Sequence, residues 1–214
     1  MQGRQIGTLG AAALAERRTE HDSTLLDVGT GDGRFPLRHA REHPRTLCVG
    51  LDAVSDNLEP SASRAARKPA RGGAPNLLFV IASLEDPPAE LGGFADRLTV
   101  LYPWSALLRG LVAPDPRMLD SLVMLAAPGA RIDLLLNSSV FEQAGYAERL
   151  ELPALDEPYL ERVLVPAYRT AGIHVESYRW LRDEEPPYRT TWGQRLTRSS
   201  QRETLEICAR REAS

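Results

Sequence analysis

The chain has 214 residues, and its 43% apolar and 26% charged content is ordinary for a soluble globular protein. The net charge of −3 argues against a general nucleic-acid-binding protein, and no apolar run approaches the roughly 18 residues that a membrane helix needs. The N-terminus lacks a signal-peptide pattern, so we expect a cytoplasmic protein in which Cys48 and Cys208 are buried thiols. The four histidines show no ligand spacing, which predicts no metal site.

The predicted elements alternate between strands and helices. An N-terminal extension, residues 1–22, carries a weak strand signal at 4–6 and then a helical run. Strands are expected at 24–27, 47–51, 77–81, 97–101, 130–136, 173–180 and 203–210, and helices at 34–42, 55–68, 106–111, 116–126 and 159–171.

This alternation predicts an α/β fold with a mostly parallel sheet and helices on both faces. The last two strands leave no room for a crossover helix, so the final strand is expected to be antiparallel. Ser55 is the expected cap of its helix, and Pro128-Gly129 is the expected turn into the fifth strand. We expect one domain over 1–214, with long loops at 137–158 and 182–202.

The stretch from the first strand to the next helix organises the chain. The strand ends at Asp27 and the helix begins at Arg34, and the turn between them predicts a nucleotide-sized pocket at the carboxyl end of the strand. The helix is expected to point free N–H groups at the ligand. The turn has G-x-G-x-G spacing, which misses the dinucleotide fingerprint G-x-G-x-x-G by one residue. Its glycines, which can adopt positive φ and let a ligand approach the backbone, are Gly29, Gly31 and Gly33.

Two further acids indicate which nucleotide the pocket takes. Asp32, inside the turn, suits a cationic or zwitterionic ligand better than a pyrophosphate. Asp52 ends the second strand, nineteen residues after Gly33, where a carboxylate can accept from both ribose hydroxyls. With Asp27 and the glycine turn, these acids resemble the first two motifs of Rossmann-like S-adenosylmethionine (SAM)-dependent methyltransferases. The resemblance implies SAM as cofactor and a sheet of order 3-2-1-4-5-7-6; the alternative is a tight turn without a ligand.

We expect SAM to contact several loops at this edge of the sheet. Glu85, just past the third strand, is expected near the adenine of SAM, and its alternative role is a solvated loop acid. The expected cofactor-binding residues are Asp27, Gly29, Thr30, Gly31, Asp32, Asp52, Ala82, Glu85, Leu101, Ser105 and Thr190.

The fourth strand ends in Tyr102-Pro103-Trp104, where this class places the methyl acceptor. Methyltransferases of the adenine amino group resemble one another in an Asp- or Asn-Pro-Pro-aromatic run there. This chain has no Asp or Asn before Pro103, which favours N1 of adenine, whose own lone pair needs no such help. Trp192, in the loop 182–202, and Trp104 are expected to sandwich a flipped base, with the Pro103 carbonyl beside it. The alternative for each tryptophan is a core anchor.

The segments 27–33, 103–104, 107–110 and 192–196 carry a more specific resemblance, together with the loop 68–76. They resemble the aminoglycoside-resistance 16S ribosomal RNA (adenine-N1) methyltransferases over nearly the whole chain. Members methylate the decoding-site adenine in helix 44 of the small subunit, which prevents aminoglycoside docking. The family more usually has Gly, then Ser or Thr, after Pro-Trp, where this chain has Ser105 and Ala106. The loop 137–158 matches poorly.

The basic charge is almost entirely arginine, which suits bidentate phosphate contacts. Two clusters are expected to face the carboxyl edge and to bind RNA phosphates, as the family resemblance implies, with Arg202 holding the extruded nucleotide's backbone. The alternative is a solvated, arginine-rich surface. The first cluster is Arg64, Arg67, Lys68 and Arg71, and the second is Arg189, Arg195, Arg198 and Arg202.

The leading interpretation is a monomeric enzyme that transfers methyl from SAM to N1 of an adenine in assembled 30S subunits. No general base is expected, because N1 of neutral adenine carries no proton. A small-molecule methyltransferase of antibiotic biosynthesis, with 137–158 as its lid, remains an alternative. A non-catalytic RNA-binding module and an NAD oxidoreductase are less favoured, given the intact glycine turn and its spacing.

Overall fold

A computed structural model describes residues 7–8, 10–141, 145–182, 184–191, 193 and 203–213. The strands are β1 (Ser23–Val28), β2 (Thr46–Asp52), β3 (Leu77–Ile81), β4 (Ala95–Leu101), β5 (Ala126–Asn137), β6 (Ile173–Leu181) and β7 (Thr204–Arg211). They form one seven-stranded sheet of order β3-β2-β1-β4-β5-β7-β6, which confirms the predicted order. The pairs from β3 to β5 are parallel, and β7 is antiparallel to both β5 and β6, as predicted.

The helices connect the strands along both faces of the sheet. They are α1 (Ala11–Thr19), α2 (Arg34–Glu42), α3 (Ser55–Ala65), α4 (Ser105–Val112), α5 (Pro116–Leu125) and the short α6 (Tyr146–Arg149). A last helix, α7, begins as Glu157–Tyr159, continues as a π-helical segment, Leu160–Leu164, and ends as Val165–Thr170. Among the described residues, no helix combines the length and apolar character required to cross a bilayer.

The core consists of two apolar layers, one on each face of the sheet. Successive strand side chains point to opposite faces, so Leu25 and Cys48 pack under α2 and α3, whereas Leu26 and Val49 belong to the layer that α4, α5 and α7 cover. All four side chains are at most 1% exposed. Burial on both faces is why the central strands are continuous apolar runs.

The boundary of α3 differs from the sequence prediction at both ends. Ser55 is the first helical residue and Val54 occupies the cap position, so the prediction of Ser55 as a side-chain cap is wrong. The helix ends at Ala65, short of the expected Lys68, because Lys68 precedes Pro69 and a residue before proline disfavours helical backbone.

Three other expectations need correction. Pro128-Gly129 lies inside β5, where a register shift in the pairing with β4 absorbs it, so it is no turn before the strand. Cys208 is only partly buried, because it lies beside the exposed Arg131 side chain on an uncovered part of β7. The loop 137–158 is less irregular than expected, since it contains a 3-10 turn, Ser138–Val140, and α6. The strand signal at 4–6 lies outside the described residues.

One side chain anchors the segment 184–191 to the sheet. Tyr188 is 8% exposed, and its hydroxyl donates to the buried carboxylate of Asp133. Arg97 and Arg131 also donate to Asp133, at 3.0 and 2.7 Å. The Tyr188 ring packs edge-on against Phe35 at a centroid distance of 5.4 Å. The segment 184–191 is therefore held at a defined place beside β4 and β5.

We expect Tyr188→Phe to lower the free energy of unfolding by about 1.5–3 kcal/mol, because a hydrogen bond to a charged acceptor is lost. Tyr168→Phe is the matched control: Tyr168 is also buried, but its hydroxyl donates to a neutral carbonyl, that of Leu111, so its loss should cost about 0.5–1.5 kcal/mol. Urea denaturation measures both. Trypsin should cut faster at Arg189 only in Tyr188→Phe; equal cutting in both variants would contradict the anchoring role.

Candidate active site

A cleft of about 520 Å³ opens at the carboxyl edge of β1, β2, β3 and β4. Its size is in the range of small-molecule sites. Pro103 and Trp104 line it, as do Thr191 and Asn57, which no motif indicated. The structure brings every expected cofactor-binding residue to this cleft, namely Asp27, Gly29, Thr30, Gly31, Asp32, Asp52, Ala82, Glu85, Leu101, Ser105 and Thr190.

The glycine turn adopts the backbone that its sequence predicts, because Gly29, Gly31 and Gly33 have φ of +67, +57 and +65°. A Cβ at Gly29 would lie 2.5 Å from the Leu107 side chain, and one at Gly33 would lie 2.5 Å from Phe79. The expectation that α2 points free N–H groups at the ligand is not met at Arg34, whose N–H donates to Asp32 at 3.1 Å, and N–H groups of the turn itself are also engaged. Those of Gly29, Gly31 and Gly33 donate to other groups of the chain, and α2 has Pro36, which lacks an N–H, in its first turn. The turn is thus unsuited to cradling a pyrophosphate.

Asp27 is a buried carboxylate at the centre of the cleft wall, 2% exposed. Thr30 and Thr99 donate their hydroxyls to it, the latter at 2.7 Å. Burial raises the pKa of Asp27 to about 7, although these two hydrogen bonds oppose the shift. A cationic group in the cleft would favour the ionised form of this side chain.

Asp52 and Asp32 shape the turn as well as lining the cleft. Asp52 accepts the N–H of Gly31 at 2.8 Å and that of Val54 at 2.9 Å. Asp32 accepts the hydroxyl of Thr191 at 2.8 Å. Each carboxylate oxygen has further lone pairs, so these bonds leave acceptor capacity toward the cleft.

The charge of the lining tests which cofactor fits. The described lining includes four carboxyl groups and no lysine or arginine. A pyrophosphate would meet repulsion there, whereas the sulfonium and ammonium groups of SAM would find compensating charge. The residues present therefore fit SAM. The four groups are Asp27, Asp32, Asp52 and Glu85.

The segment after β4 holds Trp104 in an unusual backbone. Tyr102 and Ser105 have positive φ, 56 and 50°, although neither is glycine. Such residues cost of the order of 1–3 kcal/mol each and persist where the surroundings enforce them, which occurs often at functional sites. At Ser105 the conformation gives a reason for the glycine that the family usually carries there. Trp104 itself is 36% exposed at the mouth of the cleft.

Tyr146 is a site residue that sequence reasoning missed. Its ring packs edge-on against Trp104 at a centroid distance of 5.9 Å, and its hydroxyl accepts the N–H of Ser105 at 3.1 Å. It belongs to α6, within the loop that matched the family poorly, so no motif pointed to it. An aromatic residue followed by a helical pattern inside a long loop was the only available signal.

The first basic cluster lies away from the cleft, so the prediction that it faces the carboxyl edge is wrong. Helix α3 starts near the carboxyl end of β2 and runs back to the amino end of β3, and the cluster lies in its last turn and in the segment that follows. Asn76, just before β3, donates to the carbonyl of Thr46 at 2.8 Å, where β2 begins. All four basic side chains, of Arg64, Arg67, Lys68 and Arg71, are exposed.

The second cluster is described only in part. Arg189 is exposed and pairs with Glu185 at 3.1 Å, two residues from the cleft-lining Thr191. Trp192, Arg195, Arg198 and Arg202 lie outside the described residues.

Sheet order, antiparallel last strand and acidic cleft together define a Rossmann-like SAM-dependent methyltransferase. A family model described as "NpmA: 16S rRNA (adenine(1408)-N(1))-methyltransferase" matches residues 1–211. The chain belongs to this family, and SAM is the cofactor of its class.

Relatives and solved structures agree with this assignment. Proteins named 16S rRNA (adenine(1408)-N(1))-methyltransferase from Streptoalloteichus tenebrarius and Escherichia coli are 36% and 29% identical, over 97% of this chain and 94% and 95% of theirs. The antibiotic-resistance methyltransferase Kmr is 42% identical with a TM-score of 0.85, covering 100% of this chain and 98% of its own. A Trp-to-Ala mutant of the Catenulisporales acidiphilia enzyme, solved with cosubstrate SAM, is 32% identical with a TM-score of 0.88, covering 99% and 96%.

We expect Asp27→Asn to change how stability depends on pH in the absence of cofactor. The raised pKa of Asp27 means that the folded state favours the protonated acid. Its contribution to stability is therefore complete below pH 3.8 and is lost as the pH rises toward about 7, up to about 4 kcal/mol in total. The asparagine variant should gain stability relative to wild type between pH 5 and pH 8. If the difference in free energy of unfolding between the variant and wild type stays constant over this pH range, the raised pKa of Asp27 is contradicted.

We expect Tyr146→Leu to lower kcat/KM for the methyl acceptor about 2- to 10-fold, because an aromatic pair contributes about 0.5–1.5 kcal/mol beyond its buried area. Tyr146→Phe keeps the ring against Trp104 and should recover most of the loss. SAM affinity, measured by calorimetry, should stay at the wild-type value in both variants. If Tyr146→Phe and Tyr146→Leu lower kcat/KM equally, the effect comes from the hydrogen bond between the Tyr146 hydroxyl and Ser105 and not from the ring.

Proposed function

We propose that this chain methylates N1 of the decoding-site adenine in helix 44 of 16S rRNA, within assembled 30S subunits, and so confers aminoglycoside resistance. The observation that carries the proposal is an acidic cleft, suited to a sulfonium, whose mouth holds an exposed tryptophan. Family membership over residues 1–211 supplies the nucleotide and the atom. We also propose that the enzyme acts as a monomer in the cytoplasm, where 30S subunits occur.

The roles of the residues follow from their places in the cleft. SAM, when bound, supplies an electrophilic methyl group on its sulfonium for in-line attack. Asp27 and Asp52 set the shape and charge of the wall near the glycine turn, and Trp104 offers a flat face at the mouth. Holding the base in line and surrounding the sulfonium with fixed charge are the two contributions to rate. No side chain needs to remove a proton, because N1 of neutral adenine has none.

Tyr102 supports N1 over the exocyclic amine as the acceptor atom. It precedes Pro103, in the segment where amino-adenine methyltransferases carry an Asp- or Asn-Pro-Pro-aromatic run, and its side chain is 2% exposed. Its hydroxyl lies 3.4 Å from that of Thr204, inside the fold. This position thus lacks the carboxylate or amide that would accept from an amino group. The in-ring nitrogen requires no such partner.

Primer extension on 30S subunits tests the proposal. Subunits treated with enzyme and SAM should give one new reverse-transcriptase stop beside the decoding-site adenine, since an N1-methyl blocks Watson–Crick pairing. Trp104→Ala should reduce the stop strongly, because base–aromatic stacking contributes about 1–3 kcal/mol. Wild-type enzyme that gives no stop on 30S but methylates a small molecule would replace this proposal with the biosynthetic alternative.

A further inference from the structure

The first basic cluster and the cleft lie at opposite edges of the sheet, and helix α2 runs between these two edges. The cleft is at the carboxyl edge of the sheet, whereas the cluster of Arg64, Arg67, Lys68 and Arg71 is at the amino edge. Helix α2 starts at the glycine turn of the cleft and ends where β2 begins. The exposed face of α2 therefore lies on a path that an RNA contacting both edges can follow.

That face carries arginines at helical spacing. Arg34, Arg38 and Arg41 are at i, i+4 and i+7, on one side of the helix, while Phe35 and Leu37 are buried on the other. Arg34 lies 3.4 Å from Asp32, so its charge is partly compensated. Arg38 and Arg41 form the centre of the stripe, and we call this pair the α2 arginines.

The α2 arginines contact both flanking basic segments. Arg41 donates through Nη2 to the carbonyl of Gly72, next to Arg71 of the first cluster. Arg38 donates through Nη2 to the carbonyl of Arg189, in the second cluster. A carbonyl satisfies one N–H without cancelling the charge, so four further donors of each guanidinium stay available. Glu42 lies 3.9 Å from Arg38, a solvent-exposed pair of little energy.

His39 does not add positive charge to this face at neutral pH. Its ring contacts that of His43 at a centroid distance of 4.2 Å, with the two ring planes tilted by 40°. Burial lowers the pKa of His39 to about 4, assisted by His43, Arg97 and Arg38. The positive potential of this face therefore comes from arginine, the side chain best suited to phosphate oxygens.

We infer that the α2 arginines bind backbone phosphates of the substrate rRNA and make one continuous basic surface from Lys68 and Arg71 to Arg189. The inference rests on the proposed function, because it takes the 30S subunit as the partner. The exposed face of α2 is thus a contact region that no motif indicated. It lies over one face of the sheet and not at the carboxyl edge. Its contacts are to phosphates, so it contributes affinity and placement without reading sequence.

The test compares the double variant Arg38→Gln/Arg41→Gln with Arg38→Lys/Arg41→Lys. Binding to 30S subunits is measured at several KCl concentrations, with kcat and KM for 30S alongside. Each lost phosphate contact should reduce the slope of log K against log salt by about 0.7–0.9, so the glutamine variant should lose about 1.4–1.8. The lysine variant keeps the charge and should keep most of the slope. The glutamine variant should have a raised KM for 30S, with kcat and SAM affinity unchanged.

Arg117→Gln is the matched control, because Arg117 is an exposed arginine on α5, which covers the opposite face of the sheet. It should bind 30S with the wild-type slope. An unchanged slope in the glutamine variant overturns the inference. The inference is also overturned if the glutamine and lysine variants lose the same affinity while the slope of log K against log salt stays constant. That result would mean that the guanidinium groups only support the two neighbouring loops through their hydrogen bonds. Failure of the proposed function looks different: wild-type enzyme itself would leave no primer-extension stop.

Discussion

The carboxylate of Asp27 is the constraint around which the site is arranged. It lies at the end of a strand buried on both faces, where water cannot solvate it, and only two threonine hydroxyls donate to it among the bonds described. Those hydroxyls come from the glycine turn and from β4, so one acid joins two elements that both contribute residues to the cleft. The unfavourable burial of the charge is the reason that a cation fits beside it. Stability and cofactor preference thus depend on the same side chain.

Residues 184–191 and Gly193 extend this arrangement beyond the glycine turn. Thr191 donates to Asp32 of the glycine turn, and the N–H of Gly193 donates to the Thr190 hydroxyl at 2.8 Å. A Cβ at Gly193 would lie 3.2 Å from the ring of Tyr102, so this backbone packs directly on the strained segment that carries Trp104. With Tyr188 fixed on Asp133, the loop contacts both sides of the cleft. These contacts hold residues 184–191 and Gly193 at a defined place beside the cleft.

The sequence was sufficient where a local pattern determines the structure. Strand β1, the glycine turn and α2 follow from apolar runs and glycine spacing, and parallel pairing then brings Asp27 and Asp52 to one edge. The sequence was insufficient where the structure depends on packing between segments that are distant along the chain. Tyr146 meets Trp104 only because α6 folds over α4, and no periodicity encodes that contact. The prediction for the basic cluster at the end of α3 was wrong for a simpler reason. A helix that connects two parallel strands runs antiparallel to them, so its last turn lies at the amino edge of the sheet.

Net charge was the least informative property, because a sum of −3 hides a segregated surface. Four acids line the cleft, where they favour a cation, and other acids pair with arginines, as Asp22 does with Arg45 and Glu176 with Arg210. The two opposite charges of such an exposed pair largely cancel at a distance, and salt screens what remains beyond a Debye length of roughly 8 Å at physiological ionic strength. At close range a polyanion interacts with the exposed arginine face of α2 and its neighbours, and the net charge of the chain matters less. An acidic protein can therefore bind RNA on one face while its cofactor site repels phosphate.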